Sequence, residues 1–450
     1  MSTNEASIRI AAAGDAMITR KVSTFDHERF DQLVETVRGA DASMINLEVL
    51  LHDYEGYPAA NGPGTYMRAP PWTADELTWC GFDIFAAATN HTFDYSHGGM
   101  EATMRELEDR NIPYAGLGRT LATAREPAYV DTPSGRVALV AVCSTITTGS
   151  VAGAQRPDLQ GRPGLAPLRW DTRYVVPEDR YEQLQAISEG LGLEALKRQM
   201  AELGFPLTDP DEEIFRFLNV GSGGHPGIEI GDEYRVYREP READVEAVTT
   251  ALDRAQRQAD WVIASLHAHE GAGPRSTDQT NAPFIEEFAR TCIDAGADMF
   301  AGHGSHTVRG IELYDEKPIF YSLGNFIAQN ETVTRLPAEM YDQYGLDQDS
   351  SPADIYDWRL TAEDGSPSGF LADSMYWESI LPVCEFADGS LDHVKIYPLD
   401  LLHTEPRPRR GRPIIATGDT AASVFADLKA LSDPYGTSID VEDGVGIIEP

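Results

Sequence analysis

Five apolar, strand-like runs in this chain end on, or carry near their ends, residues that bind metals or move protons. Ser7–Ala13 runs into Gly14 and Asp15, and Ser43–Leu51 carries Asn46 and Glu48. Phe82–Ala88 leads to Asn90 and His91. Trp261–Leu266 leads to His267, His269 and Glu270, and Ala297–Ala301 opens the segment GHGSH with His303 and His306. Helical spacing over 25–38, 99–110, 242–259 and 282–295 separates these runs. Alternation of this kind predicts an α/β layered fold, in which polar groups gather at the carboxyl ends of the strands.

Each residue has a plain reading beside the functional one. Asp15 fits a turn or helix cap. Glu48 interrupts MINLEVLL and shares a strand face with Asn46, as an edge strand with one wet face would allow. A carboxylate inside a buried run is otherwise costly unless paired or metal-bound. In ATNHTFDYSHGG, residues 88–99, Asn90 offers a neutral oxygen, His91 a proton carrier and Asp94 a group to orient it. An Asx-type turn with exposed histidines is the alternative. Six of the eleven histidines fall in three strand-end segments, which chance placement explains poorly. Asp, Glu, Asn and His together suit Mn, Fe or Zn better than an all-oxygen Ca or Mg cage, with one or two ions.

The net charge is −37, which argues against nucleic acid or an anionic membrane as partner. A proteome-wide acidic bias accounts for the charge itself. Apolar residues make up 42% of the 450, enough for a core. Cys80, Cys143, Cys292 and Cys384 form no CxxC and read as buried thiols in a reducing compartment. The first residues, MSTNEASIRI, do not read as a signal peptide, and no run approaches the length of a membrane span. The expectation is a cytoplasmic protein.

The pattern is interrupted twice. Residues 146–240 hold a Gly/Pro/Arg-rich stretch, a helical run over 177–203 and a GSGG at 221–224; residues 329–373 are acidic. The expected organisation is one domain over 1–400 with insertions at 146–240 and 329–373. Residues 401–450 form an extension packed on that domain.

GD, NLE, TNHTFDYSHGG, a strand-end His, GADMFAGHGSHTV and KPIFYSLGNF occur in that order. This series resembles the CapA-type (poly-γ-glutamate synthesis) branch of the calcineurin-like metallophosphatase superfamily. The resemblance covers 8–118 and 261–327. It implies a four-layer α/β/β/α sandwich and makes Asp15, Glu48, Asn90, His267 and His306 metal ligands. It gives His91 an acid/base or transition-state role. The chain departs from the family pattern at Met17, at Gly304-Ser305-His306 in place of HPH, and at HAHEG in place of a HWGxEY-like string. A single ion is then the easier centre to build, with His303 as replacement ligand or as a free acid/base group.

Within that branch the chain looks like a cytoplasmic lasso-peptide epimerase. The resemblance thus implies metal-dependent epimerisation of a peptide substrate at a Cα, with His91, His303 and Asp94 as catalytic residues. The alternatives are a metallohydrolase of phosphoester or γ-glutamyl amide bonds, or a capsule biosynthesis protein. The loops 52–71, 146–178 and 329–373 are candidates for a peptide-binding rim.

Overall fold

The computed structural model describes residues 7–60, 64–205, 215–217, 226–272 and 279–450. The chain divides into two compact units, 1–167 with 246–450, and 168–245. The GSGG at 221–224 lies outside the described residues.

The larger unit is a mixed α/β sandwich built on two sheets. In the first, the order is Asp440–Glu442, Val445–Ile448, Ser390–Asp400, Glu378–Ala387, Ser7–Met17, Ala42–Leu47, Ile84–Ala86, Tyr114–Ala115. In the second it is Ile311–Tyr314, Lys317–Phe320, Met299–His303, Trp261–His267, Gly135–Cys143, Ala128–Thr132. The facing sides share one apolar layer. Ile10, Met44 and Ile84 of the first sheet pack with Leu139, Ile263 and Met299 of the second. Trp261 and Phe386 meet across it with ring centroids 4.6 Å apart.

Helices cover the outer faces. Glu28–Arg38 buries Phe30, Leu33, Val34 and Val37, an i, i+3, i+4, i+7 stripe. His27 caps it, with Nδ1 accepting the Arg29 N–H at 3.2 Å. Pro283–Asp294 starts with Pro at its first turn and buries Phe284, Ile285, Phe288, Ala289, Cys292 and Ile293. Each fully buried large side chain contributes about 1.5–3 kcal/mol. All four cysteines are free and buried.

The apolar run 318–327 contributes to two strands, in different sheets. Lys317–Phe320 belongs to the second sheet, whereas Asn325–Ala328 pairs in parallel with Ser7–Met17 in the first. The change of sheet falls at Ser322-Leu323-Gly324, where Gly324 has φ +71°. The tail helix Gly418–Ser432 places Val424, Phe425 and Leu428 in the layer shared by the sheets.

The smaller unit pairs Trp170–Val176 with Gly227–Ile230 on one side and Arg235–Pro240 on the other. Its helical run is broken into Glu178–Gly190 and Leu193–Glu202 by Gly192 at φ +75°. A left-handed residue cannot continue a helix.

Candidate metal centre

The parallel strands of both sheets end at one buried region. Asp15 sits in Ser7–Met17 where the register shifts against both parallel neighbours. Such bulges re-aim a side chain out of the ladder. Gly14 permits the close approach this requires. A Cβ there would lie 1.9 Å from the Gly324 carbonyl oxygen, which accepts the Asp15 N–H at 3.0 Å.

Asp15, His267 and His303 form one cluster whose ligand atoms lie within 4.8 Å of one another. Residues 267 and 303 are direct partners in the parallel ladder, so their imidazoles lie side by side. Their Nδ1 atoms are 3.1 Å apart, and each is 3.7 Å from Asp15 Oδ1. The far nitrogens are taken. His267 Nε2 meets Asn90 Oδ1 at 3.1 Å, and His303 Nε2 meets Ser265 Oγ at 2.7 Å. Asn90 Oδ1 can only accept, which assigns the His267 proton to Nε2 and a lone pair to Nδ1. Asp15 is held as well: Asn46 Nδ2 donates to Oδ1 at 2.8 Å and the Gly304 N–H to Oδ2 at 3.0 Å.

Glu48, His269 and His306 form a second cluster on the same distance criterion. Among the described residues neither Glu48 oxygen has a hydrogen-bond partner, although the residue is fully buried. The buried His269 Nε2 has none among them either. His306 Nδ1 is 2.9 Å from Asn325 Oδ1, 3.5 Å from Asp15 Oδ2 and 3.9 Å from Glu48 Oε2. Glu48 Oε1 is 3.7 Å from His267 Nε2. Each carboxylate therefore approaches histidines of both clusters. His306 has φ +62°, a left-handed conformation uncommon outside glycine and typical of functional sites. His269 is positioned through its backbone. Its N–H donates to Thr145 Oγ1 at 2.8 Å, and Thr145 Oγ1 donates to Glu270 Oε1 at 3.0 Å.

Burial dominates the electrostatics. It raises the Glu48 carboxyl well above the usual range, helped by Asp15 and Asp94. Burial also works to raise Asp15, but His306, His303 and the Gly304 N–H outweigh it and the net shift is downward. Burial and neighbouring histidines hold His267 and His269 well below the ordinary imidazole value. Burial lowers His303 to about 4. His267, His269 and His303, held neutral, offer lone pairs, and a cation would supply the partner that the disfavoured Glu48 charge needs.

His91 stands at the edge of this region. It lies in the 3-10 turn Asn90–Phe93, where Thr89 Oγ1 accepts the His91 N–H at 3.2 Å. Its Nδ1 meets Asp94 Oδ2 at 2.7 Å and its Nε2 lies 3.9 Å from Glu48 Oε1. Burial raises the Asp94 carboxyl, while His91 and the Met67 N–H pull it back. His97, from the same segment, instead packs edge-on against Phe93.

A family model described as "Bacterial capsule synthesis protein PGA_cap" matches residues 9–330. The chain belongs to the PGA_cap family. This PGA_cap protein is 33% identical to the uncharacterized protein y4sH of Sinorhizobium fredii, over 98% of this chain and 92% of that one. It is 31% identical to the PGA biosynthesis protein CapA of Bacillus subtilis, over 82% and 75% respectively. The capsule biosynthesis protein CapA of Bacillus anthracis is 22% identical over 80% of this chain and 69% of its own. Among the described residues no helix is long and apolar enough to cross a membrane.

All eight residues singled out from the sequence, Asp15, Glu48, Asn90, His91, Asp94, His267, His303 and His306, are buried in this region. Their grouping was not foreseen. His303 faces Asp15 and His267, the Asn90 oxygen faces His267, and His269 completes a second cluster. A site for one ion was the easier expectation; there are candidate ligands for two. His269 was named at the strand end but left out of the ligand set; the contact that anchors it, with Thr145, is 124 residues away.

Proposed function

We propose that this chain is a two-metal hydrolase that cuts γ-glutamyl amide bonds during the making or trimming of a poly-γ-glutamate-type polymer. The observation that carries the reading is the pair of ligand clusters, with Asp15 and Glu48 each approaching histidines of both. The polymer is taken from the relatives, which are named as capsule and PGA biosynthesis proteins.

Asp15, His267 and His303 would hold one divalent ion, and Glu48, His269 and His306 the other. Mixed nitrogen and oxygen donors favour Mn, Fe or Zn. Ions bound there supply Lewis acidity toward a carbonyl and a water activated at neutral pH. His91 supplies the proton. Asp94 takes its Nδ1–H, which fixes the tautomer and stabilises the charged ring. Water adds to the carbonyl carbon and gives up a proton, the C–N bond breaks, the departing amine nitrogen takes a proton from His91 Nε2, and the proton given up by the water restores His91.

Epimerisation is the weaker reading on the same geometry. Removing and returning a Cα proton on opposite faces calls for two free acid/base groups. His303 Nδ1 is turned toward His267 and Asp15, which leaves His91 alone.

The test is incubation of the metal-loaded protein with a γ-linked glutamate oligomer in H₂¹⁸O, read by mass spectrometry. Hydrolysis gives shorter chains with one ¹⁸O at each new carboxyl. Unchanged mass, with Cα deuterium uptake in D₂O, would overturn this reading in favour of epimerisation. A phosphodiester run in parallel separates amide from phosphoester preference.

A further inference from the structure

Beside His306 and Asn325 runs a narrow crevice walled by Met17, Tyr356, Leu360, Phe370, Tyr376 and Trp377. Its aromatic wall starts at the metal centre. The His306 and Phe370 rings are 5.6 Å apart, and the Phe370 and Tyr376 rings 4.6 Å. Two charged residues also line it, Glu331 and Arg359.

Glu331 is spoken for. It accepts from Arg410 at 2.7 and 2.5 Å and from Arg407 at 3.0 Å. Arg359 is not. Its Nη1 donates to the Thr65 hydroxyl at 3.1 Å, and its guanidinium lies 5.8 Å from the Tyr356 ring. Both partners are neutral, and among the described residues no carboxylate pairs with it. Its planar fork matches a carboxylate, and its position beside aromatic walls lowers the dielectric that would weaken the pair.

A narrow crevice of about 20 Å³, opening on a metal ligand and lined by a guanidinium with no acid partner among the described residues, admits at most a slender stem, such as methylenes that end in a carboxylate. A γ-linked glutamyl residue has that shape: two methylenes and a free α-carboxylate beside the scissile amide. We propose that Arg359 is the specificity-determining residue, binding the α-carboxylate of the glutamyl residue next to the bond that is cut. The aromatic wall takes the methylenes. This rests on the γ-glutamyl hydrolase reading.

The experiment compares metal-loaded wild type, Arg359→Ala and Arg359→Lys on a γ-linked glutamate oligomer and on the same oligomer with its carboxylates methyl-esterified. Both Kd and the kinetic constants are read, and thermal melting checks that the variants fold. Arg359→Ala is expected to raise Kd and KM about tenfold or more, with kcat within about twofold. Arg359→Lys should recover part of that loss, and the esterified oligomer should bind wild type and Arg359→Ala equally weakly. Cleavage with unchanged KM in Arg359→Ala overturns the role of Arg359 and leaves the hydrolase standing. Tight, Arg359-dependent binding with no cleavage supports the role and overturns the hydrolase. An equal loss on the esterified oligomer, or no binding by wild type, overturns the inference.

Discussion

The two ligand clusters have the same composition, one carboxylate and two imidazoles, and opposite hydrogen-bond states. Every member of the first is held: Asp15 by Asn46 and the Gly304 N–H, His267 by Asn90, His303 by Ser265. In the second, among the described residues, only His306 has a side-chain hydrogen-bond partner, Asn325, while Glu48 and His269 end in atoms with none. A preorganised set loses little freedom when an ion arrives, so the first cluster is the tighter seat. The second needs its occupant to offset a buried carboxylate. It is also the cluster whose His306 lines the crevice. On the proposed two-metal reading, the contrast would give the first ion a permanent role and the second a substrate-facing, exchangeable one.

Asp15→Ala breaks the comparison outright, because Asp15 approaches both clusters. The expected result is loss of both ions by elemental analysis and activity at background. His91→Gln leaves the clusters alone. Both ions should stay bound while kcat falls about 10²–10⁴-fold, the usual worth of a positioned acid; an equal loss of metal would make His91 a ligand instead.

The chelated protein should also respond to pH. His303 titrates near 4 when folded and near 6.5 when unfolded. Between those values the unfolded chain binds more protons. Stability from this group is therefore complete above pH 6.5 and lost as pH falls toward 4, by about 3 kcal/mol. Burial also lowers His52 to about 4, which gives the same sign. Urea denaturation at pH 7 and pH 5 measures the slope, and His303→Asn should flatten it. The smallest effect belongs to Ser265→Ala, which frees the His303 ring. First-ion affinity should drop about 10–100-fold while second-ion affinity holds; equal weakening of both would erase the distinction.

Sequence reading reached the fold because strand and helix periods are local. It reached Asp15, Glu48 and His267 because polar groups at the ends of apolar runs stand out. It did not reach the partition into two clusters. That depends on the ladder register that sets 267 opposite 303, and on the Thr145–Glu270 contacts that fix His269 beyond its strand. Neither leaves a periodic trace. The break within 318–327 was equally hidden: Pro318–Phe320 and Asn325–Ile327 are both apolar enough for a core, and only the backbone at Gly324 separates them. The crevice escaped for the same reason, since its walls come from Met17, from 356–360 and from 370–377. Arg359 is unremarkable in sequence; that no carboxylate among the described residues pairs with it exists only in three dimensions.

Native mass spectrometry of the protein titrated with Mn²⁺ or Zn²⁺ tests the two-cluster account most directly. The account predicts two ions on wild type, the first bound more tightly, and one ion on His269→Ala. A single ion on wild type, retained at full affinity in His269→Ala, would contradict it.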